Sequence, residues 1–408
     1  MCIGRRDRKN SLIAGPEDAL ANGPLENGLM KRHLGALLGL VLAWGTGTWA
    51  IAQSVDLPDN LKSSASLGPA EIQTVDAFVK AQMQRLIKGD SAAQSGARDT
   101  LINQATLRGK PSEAAFLDAY AAALNQSIQE QISADTPLRV RLNAAIVTAR
   151  IAEMASNTRL ADATLRWLGD KESPVVLWGM KAARYVLPPM LDNEPLAQRV
   201  KLPQAIVQAV ERTKSGPVLQ EAYSALSLGV FNSGTSVVKT NWLNQSLPAL
   251  FEILGDRVKQ YAAGVPSEPQ AENLATAMLV HPQVWPKLTA EQRVQAVQAM
   301  NDFIVLGASR FAAAANNTPE AESLAAMVSG TAKALWVVGT RMGSSALVEL
   351  STRLSKIDAR SSGKEAVELA GEVHPLVTAI AEFRNVTPPP KLQAQEASSA
   401  PAGGGTGQ

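Results

Sequence analysis

The stretch Gly169–Arg184 reads GDKESPVVLWGMKAAR, a turn followed by a helix. Ser173 and Pro174 supply an N-cap hydroxyl and a proline at the first helical position, where the missing amide has no partner in any case. The same opening recurs on both sides, as TPLRVRLNAAIV from Thr136 and GPVLQEAYSALSL from Gly216. The prolines of the three copies, Pro137, Pro174 and Pro217, lie 37 and 43 residues apart. The position after each proline holds Leu138, Val175 and Val218, and eight residues on stand Ala145, Ala182 and Ala225. One residue further come Ile146, Ala183 and Leu226. Small and medium apolar residues at fixed helical offsets let neighbouring helices approach closely.

A period near 40 with one helix pair per unit resembles the HEAT and armadillo arrays. Asp170 in the turn, Pro174 opening the helix and the paired alanines Ala182 and Ala183 carry the resemblance, over roughly residues 112–230. The chain departs from the pattern at Leu177, where a basic residue is usual. The resemblance implies stacked helix pairs and a protein-binding or scaffolding role. No clean copy follows between 231 and 385, where Pro266, Pro269, Pro282 and Pro286 interrupt the pattern.

Outward from these copies the helical period persists. Ile72, Val75, Val79, Met83 and Leu86 step by three and four, as do Leu117, Tyr120, Leu124, Ile128 and Ile132, and Val294, Val297, Met300 and Ile304. Each series places one apolar stripe on a helix. Sustained alternation at period two is absent, and so are hairpin-type turn dipeptides between β-branched runs. Thr136–Pro137, Ser173–Pro174 and Thr318–Pro319 predict helix starts, Thr289 with Gln292 a capping box, and Gly169, Gly216 and Gly255 helix ends. These signals cut the chain into about fourteen helices. The expected fold is all-α, with antiparallel helix pairs stacked as a HEAT-like solenoid or an irregular helical array.

The N-terminal region carries a different message. From Met30 the chain reads MKRHLGALLGLVLAWGTGTWAIAQS. Lys31, Arg32 and His33 precede an uncharged run, and Ala50-Ile51-Ala52 forms a small-x-small site before Gln53. Basic flank, apolar run and cleavage site in this order predict a secretory signal peptide over 30–52, with Gln53 opening the mature chain. The alternative is an uncleaved anchor. Residues 1–29 are polar and without helical period, and are read as an extension upstream of the true start at Met30. Residues 53–67 are expected to be a flexible lead-in, 68–385 a helical domain, and 386–408, rich in Pro, Ala and Gly, a disordered tail.

Composition narrows the functional classes. The 408 residues are 46% hydrophobic, enough for a large core, and carry a formal charge of +2. From Gln53 onward basic and acidic residues balance, which gives no electrostatic reason to seek nucleic acid or an anionic membrane. The single cysteine, Cys2, excludes a disulfide framework and a cysteine zinc site. Nucleophile elbows and phosphate-binding loops are missing. His281 and His374, each before a proline, are the histidines left after Gln53; without further ligands they read as helix-end residues rather than a metal pair. Acidic residues such as Glu211 and Glu291 fall on polar helix faces. The sequons at Asn125, Asn244, Asn316 and Asn385 are short enough to arise by chance. Of the tryptophans after Gln53 (Trp167, Trp178, Trp242, Trp285 and Trp336), Trp167 and Trp178 flank the best repeat turn. They are candidates for a partner-binding patch, or for plugs between helices. No catalytic residue, metal ligand or cofactor is expected. The reading is a periplasmic or secreted, non-catalytic helical-repeat protein that binds a protein partner. The competing class is an exported all-α enzyme acting on carbohydrate or cell-wall material.

Overall fold

The computed structural model describes residues 56–231, 240–315 and 317–379. The signal-peptide positions Ala50, Ala52 and Gln53, the extension 1–29 and the tail 386–408 lie outside the described residues, as do Asn316 and Asn385.

The described chain is all-α. Sixteen α-helical segments occur among the described residues. They are α1 (Asp59–Lys62), α2 (Pro69–Lys88), α3 (Ser91–Gln104), α4 (Ala114–Gln131), α5 (Leu138–Ala155), α6 (Ala161–Leu168), α7 (Ser173–Asn193) and α8 (Leu196–Arg199). There follow α9 (Lys201–Thr213), α10 (Gly216–Phe231), α11 (Thr240–Ala262), α12 (Pro269–Leu279), α13 (Ala290–Ala313), α14 (Pro319–Met342), α15 (Ser345–Leu354) and α16 (Gly363–Ala379). A small antiparallel ribbon, β1 (Thr106–Leu107) with β2 (Lys110–Pro111), joins α3 to α4. Its two-residue turn holds Arg108 at φ 53° and Gly109 at φ 77°. Both are left-handed, as a type I′ hairpin turn requires. The sequence reading missed it because arginine is not a usual residue at the first turn position.

The helices pack in two ladders. In one, α2, α4, α6, α9, α11, α13 and α16 each touch the next in that order. In the other, α3, α5, α7, α10, α12, α14 and α15 do the same. Pairs such as α2 with α3, α6 with α7 and α13 with α14 bridge the ladders. Extensive contacts join helices within four positions of one another along the chain. The three Pro-started copies are α5, α7 and α10, consecutive rungs of the second ladder. Ala145, Ala182 and Ala225 are buried in all three, which explains the small residue at that offset.

The next two rungs also begin at prolines, Pro269 in α12 and Pro319 in α14. The arrangement therefore runs on past residue 231. The sequence hid this because the intervening α11 and α13 are 23 and 24 residues long. They stretch the proline spacing beyond the period of the first copies.

Close rungs need small residues. A Cβ on Gly179 of α7 would stand 2.9 Å from the Trp167 Cβ and 3.1 Å from the Leu168 nitrogen. The apolar stripes read from the sequence face the core, with Val75, Val79, Met83 and Leu86 buried. Ile72, at the start of α2, is exposed.

Several local expectations are corrected. The lead-in packs on the fold from Asp56: Leu57 and Leu61, four residues apart, are buried. The Leu57 amide donates to Gln104 Oε1 at 3.0 Å and the Glu113 amide to the Lys62 carbonyl at 2.9 Å. Thr318 caps α14 and the Thr289–Gln292 box opens α13, as read. Thr136 instead receives the Ser133 amide, and Ser173 lies inside α7 behind Glu172. Gly169 ends α6, but Gly216 opens α10 and Gly255 sits within α11. Pro188 and Pro189 lie inside α7 without ending it.

A device that the sequence reading did not single out crosses three junctions of the first ladder. Arg166, near the end of α6, donates to the Ile132 carbonyl just past α4 and to Gln129 Oε1, the latter at 3.0 Å. Arg212, near the end of α9, reaches the Leu168 carbonyl and the Asp170 carbonyl past α6. Arg310, near the end of α13, reaches the Val265 carbonyl past α11. Each guanidinium thus meets the electronegative end of the preceding rung, where carbonyls lack intrahelical partners.

Candidate functional site

The turn between α6 and α7 fixes the surface around the two candidate tryptophans. Asp170 Oδ1 accepts from the Glu172 amide at 2.9 Å, closing the turn. Asp170 Oδ2 meets Arg141 Nε of α5 at 2.9 Å, with both side chains almost fully buried. Arg141 also donates to the carbonyls of Ala134 and Thr136, at 2.7 and 2.8 Å.

The structure separates the tryptophans. Trp167 is buried, and its indole N–H donates to Thr148 Oγ1 at 2.9 Å. It is a plug between helices and not available to a partner. Trp178 is half-buried. Lys181 Nζ stands 4.4 Å above its ring and the Arg150 guanidinium 5.7 Å from it. Alongside, the Tyr185 hydroxyl donates to Glu153 Oε1 at 3.3 Å, and Arg184 pairs with Glu221 at 3.2 Å. Partial burial, then the Glu153 charge, raises Tyr185 above the usual phenol range. The result is a strip of indole, phenol and long cations across α5, α7 and α10. Such a strip binds by stacking, hydrogen bonding and charge; it places no nucleophile beside a base.

A second polar group is enclosed. Glu272 of α12 is fully buried, with Tyr261 and Arg257 of α11 almost as deep. The Tyr261 hydroxyl donates to Glu272 Oε1, and Arg257 Nε stands 3.4 Å from the same oxygen. Glu272 Oε2 accepts the Glu268 amide at 2.9 Å. Arg257 also holds the Pro266 carbonyl at 3.1 Å, so the cluster pins the loop between α11 and α12. Burial pushes the Glu272 carboxyl up to about 7, although its hydrogen bonds and Arg257 pull the other way. Its depth makes this a structural cluster.

The remaining sequence candidates stay apart. His281 follows α12, half-buried, and its Nδ1 accepts from the Gln283 amide at 3.3 Å. His374 lies within α16 rather than at its end. Among the described residues no three His, Cys, Asp or Glu side chains gather as metal ligands. Glu211 and Glu291 are exposed, as read. A hydrogen bond that protonated Glu211 donates to the Asp256 carboxylate raises Glu211 above its ordinary range, and backbone and Thr289 hydrogen bonds lower Glu291. Trp242 and Trp285 are buried, and Trp336 is 44% exposed. Asn125 accepts from the Ala163 amide at 2.9 Å. No described helix is long and apolar enough to cross a membrane. No family model, curated protein or solved structure matches the chain.

Proposed function

We propose that the chain is an exported, non-catalytic helical-repeat protein, a HEAT-like array that binds a protein partner through the face of α5, α7 and α10. The observation that carries this reading is the strip around Trp178. It puts a half-exposed indole, a phenol and three cations on adjacent rungs. Tryptophan, tyrosine and arginine are the residues that most often dominate protein interfaces. Helix pairs packed in series offer broad surfaces of this kind. Export rests on the signal-peptide pattern at 30–52 and places the protein in a periplasm or outside the cell.

The test is recovery of partners from exported fractions with the chain that starts at Gln53, read by mass spectrometry. Trp178→Ala and the double variant Lys181→Ala/Arg184→Ala should each lose the same protein. Retention by both, or no reproducible partner, sinks the reading. Sequencing the mature N-terminus checks export separately, with Gln53 expected first.

A further inference from the structure

We infer that the groove between α12 and α14 binds an elongated organic acid, apolar in its middle and carrying a carboxylate at each end. The groove holds about 510 Å³, within the range of small-molecule sites. Ala277 and Val280 of α12 and Ala334 and Val337 of α14 give it apolar walls. Asn273 closes one end by seating against Gly330, where any Cβ would collide with the amide at 2.1 Å.

The charged lining is one-sided, with His281 the other titratable side chain on it. Lys333 and Arg341 both face the groove, and no carboxylate lines it. Both cations are exposed and form no hydrogen bond or ion pair with any described residue. The little burial that Arg341 has lowers it slightly from the usual arginine range.

Spacing then selects the ligand. Lys333 and Arg341 lie eight positions apart on one helix, about 12 Å along its axis. The apolar walls lie between them. A monoacid would satisfy one cation and leave the other bare. A diacid with an aliphatic centre of about that length satisfies both and covers the apolar floor. Lysine supplies a point charge and arginine a planar fork, so the two ends need not be held alike.

Calorimetric titration of the chain from Gln53 with decanedioate tests this, with decanoate and 1,10-decanediol as controls. Decanedioate should bind at least fivefold more tightly than decanoate, and the diol should not bind measurably. Lys333→Gln or Arg341→Gln should each erase the preference for the diacid, while Lys333→Arg should keep it. Circular dichroism checks that the variants are folded. Equal binding of diol and diacid, unchanged binding in the Lys333→Gln/Arg341→Gln variant, or no binding of decanedioate at millimolar concentration would each overturn the inference. It stands apart from the strip on α5, α7 and α10, so failure to recover a protein partner leaves it untouched.

Discussion

Glu272 is the residue whose chemistry departs furthest from its ordinary value in a useful pH range. Its carboxyl titrates near 7 in the fold and near 4.5 when free, because burial penalises the charge more than Arg257 and Tyr261 repay it. The folded chain therefore binds more protons than the unfolded chain between these values, and stability must fall as pH rises through the window. The full loss is on the order of 3 kcal/mol. Urea midpoints at pH 5 and pH 8 should show the wild-type chain weaker at the higher pH. Glu272→Gln should flatten that difference, since the amide keeps its shape without ionising. An unchanged pH slope in the variant would assign the effect elsewhere. None of this was visible from the sequence, where Glu272 is one acid among many. Its burial depends on where α11 turns into α12. Trp167 was half legible: its place beside the repeat turn marked it, but only packing shows that Thr148 takes its indole N–H and that the ring faces inward.

At the level of single helices, the fold was largely readable, because period and capping are local. The stripes on α2 and α4 and the capped starts of α13 and α14 needed no tertiary information. Errors came where tertiary contacts override local preference. Gly255 stays helical inside α11, and α7 continues through Pro188 and Pro189. The helix end that the sequence assigns to Gly216 falls two residues earlier, since Lys214 ends α9 in the left-handed region at φ 47°. The arginine seam was missed for a related reason. A basic residue in a last turn looks like an ordinary dipole partner, and only the ladder brings it over the preceding rung. Its weight can be measured. Arg166→Met removes the contacts to Ile132 and Gln129 between α6 and α4 and should cost roughly 1–2 kcal/mol in urea denaturation. Arg139→Met is a control at an exposed site with one long hydrogen bond of 3.4 Å to Ser91, and should stay within about 0.5 kcal/mol of the wild type. Equal effects from the two would show that the seam adds nothing beyond surface charge.

For the molecule as a whole, the consequential property is that extensive packing reaches only nearby helices. A globule with one shared core transmits a local defect to every element, because all of its protected amides exchange through common openings. A chain of rungs should not, since each rung's stability depends on itself and its neighbours. Gly179→Ala offers a clean perturbation. The new methyl meets the Trp167 Cβ and the Leu168 backbone, forcing α7 away from α6. Overpacking of this kind costs about 1–3 kcal/mol, partly offset by alanine's better helix propensity. In hydrogen exchange read by mass spectrometry, α6 and α7 should exchange faster in the variant. Their ladder neighbours α4, α5, α9 and α10 should follow to a lesser degree. Peptides from α13 to α16 should keep wild-type rates, because no rung they touch contains the substitution. A uniform acceleration from α2 to α16 would mean that the two ladders share one cooperative core, and would remove the physical basis for treating the strip on α5, α7 and α10 and the groove between α12 and α14 as independent sites.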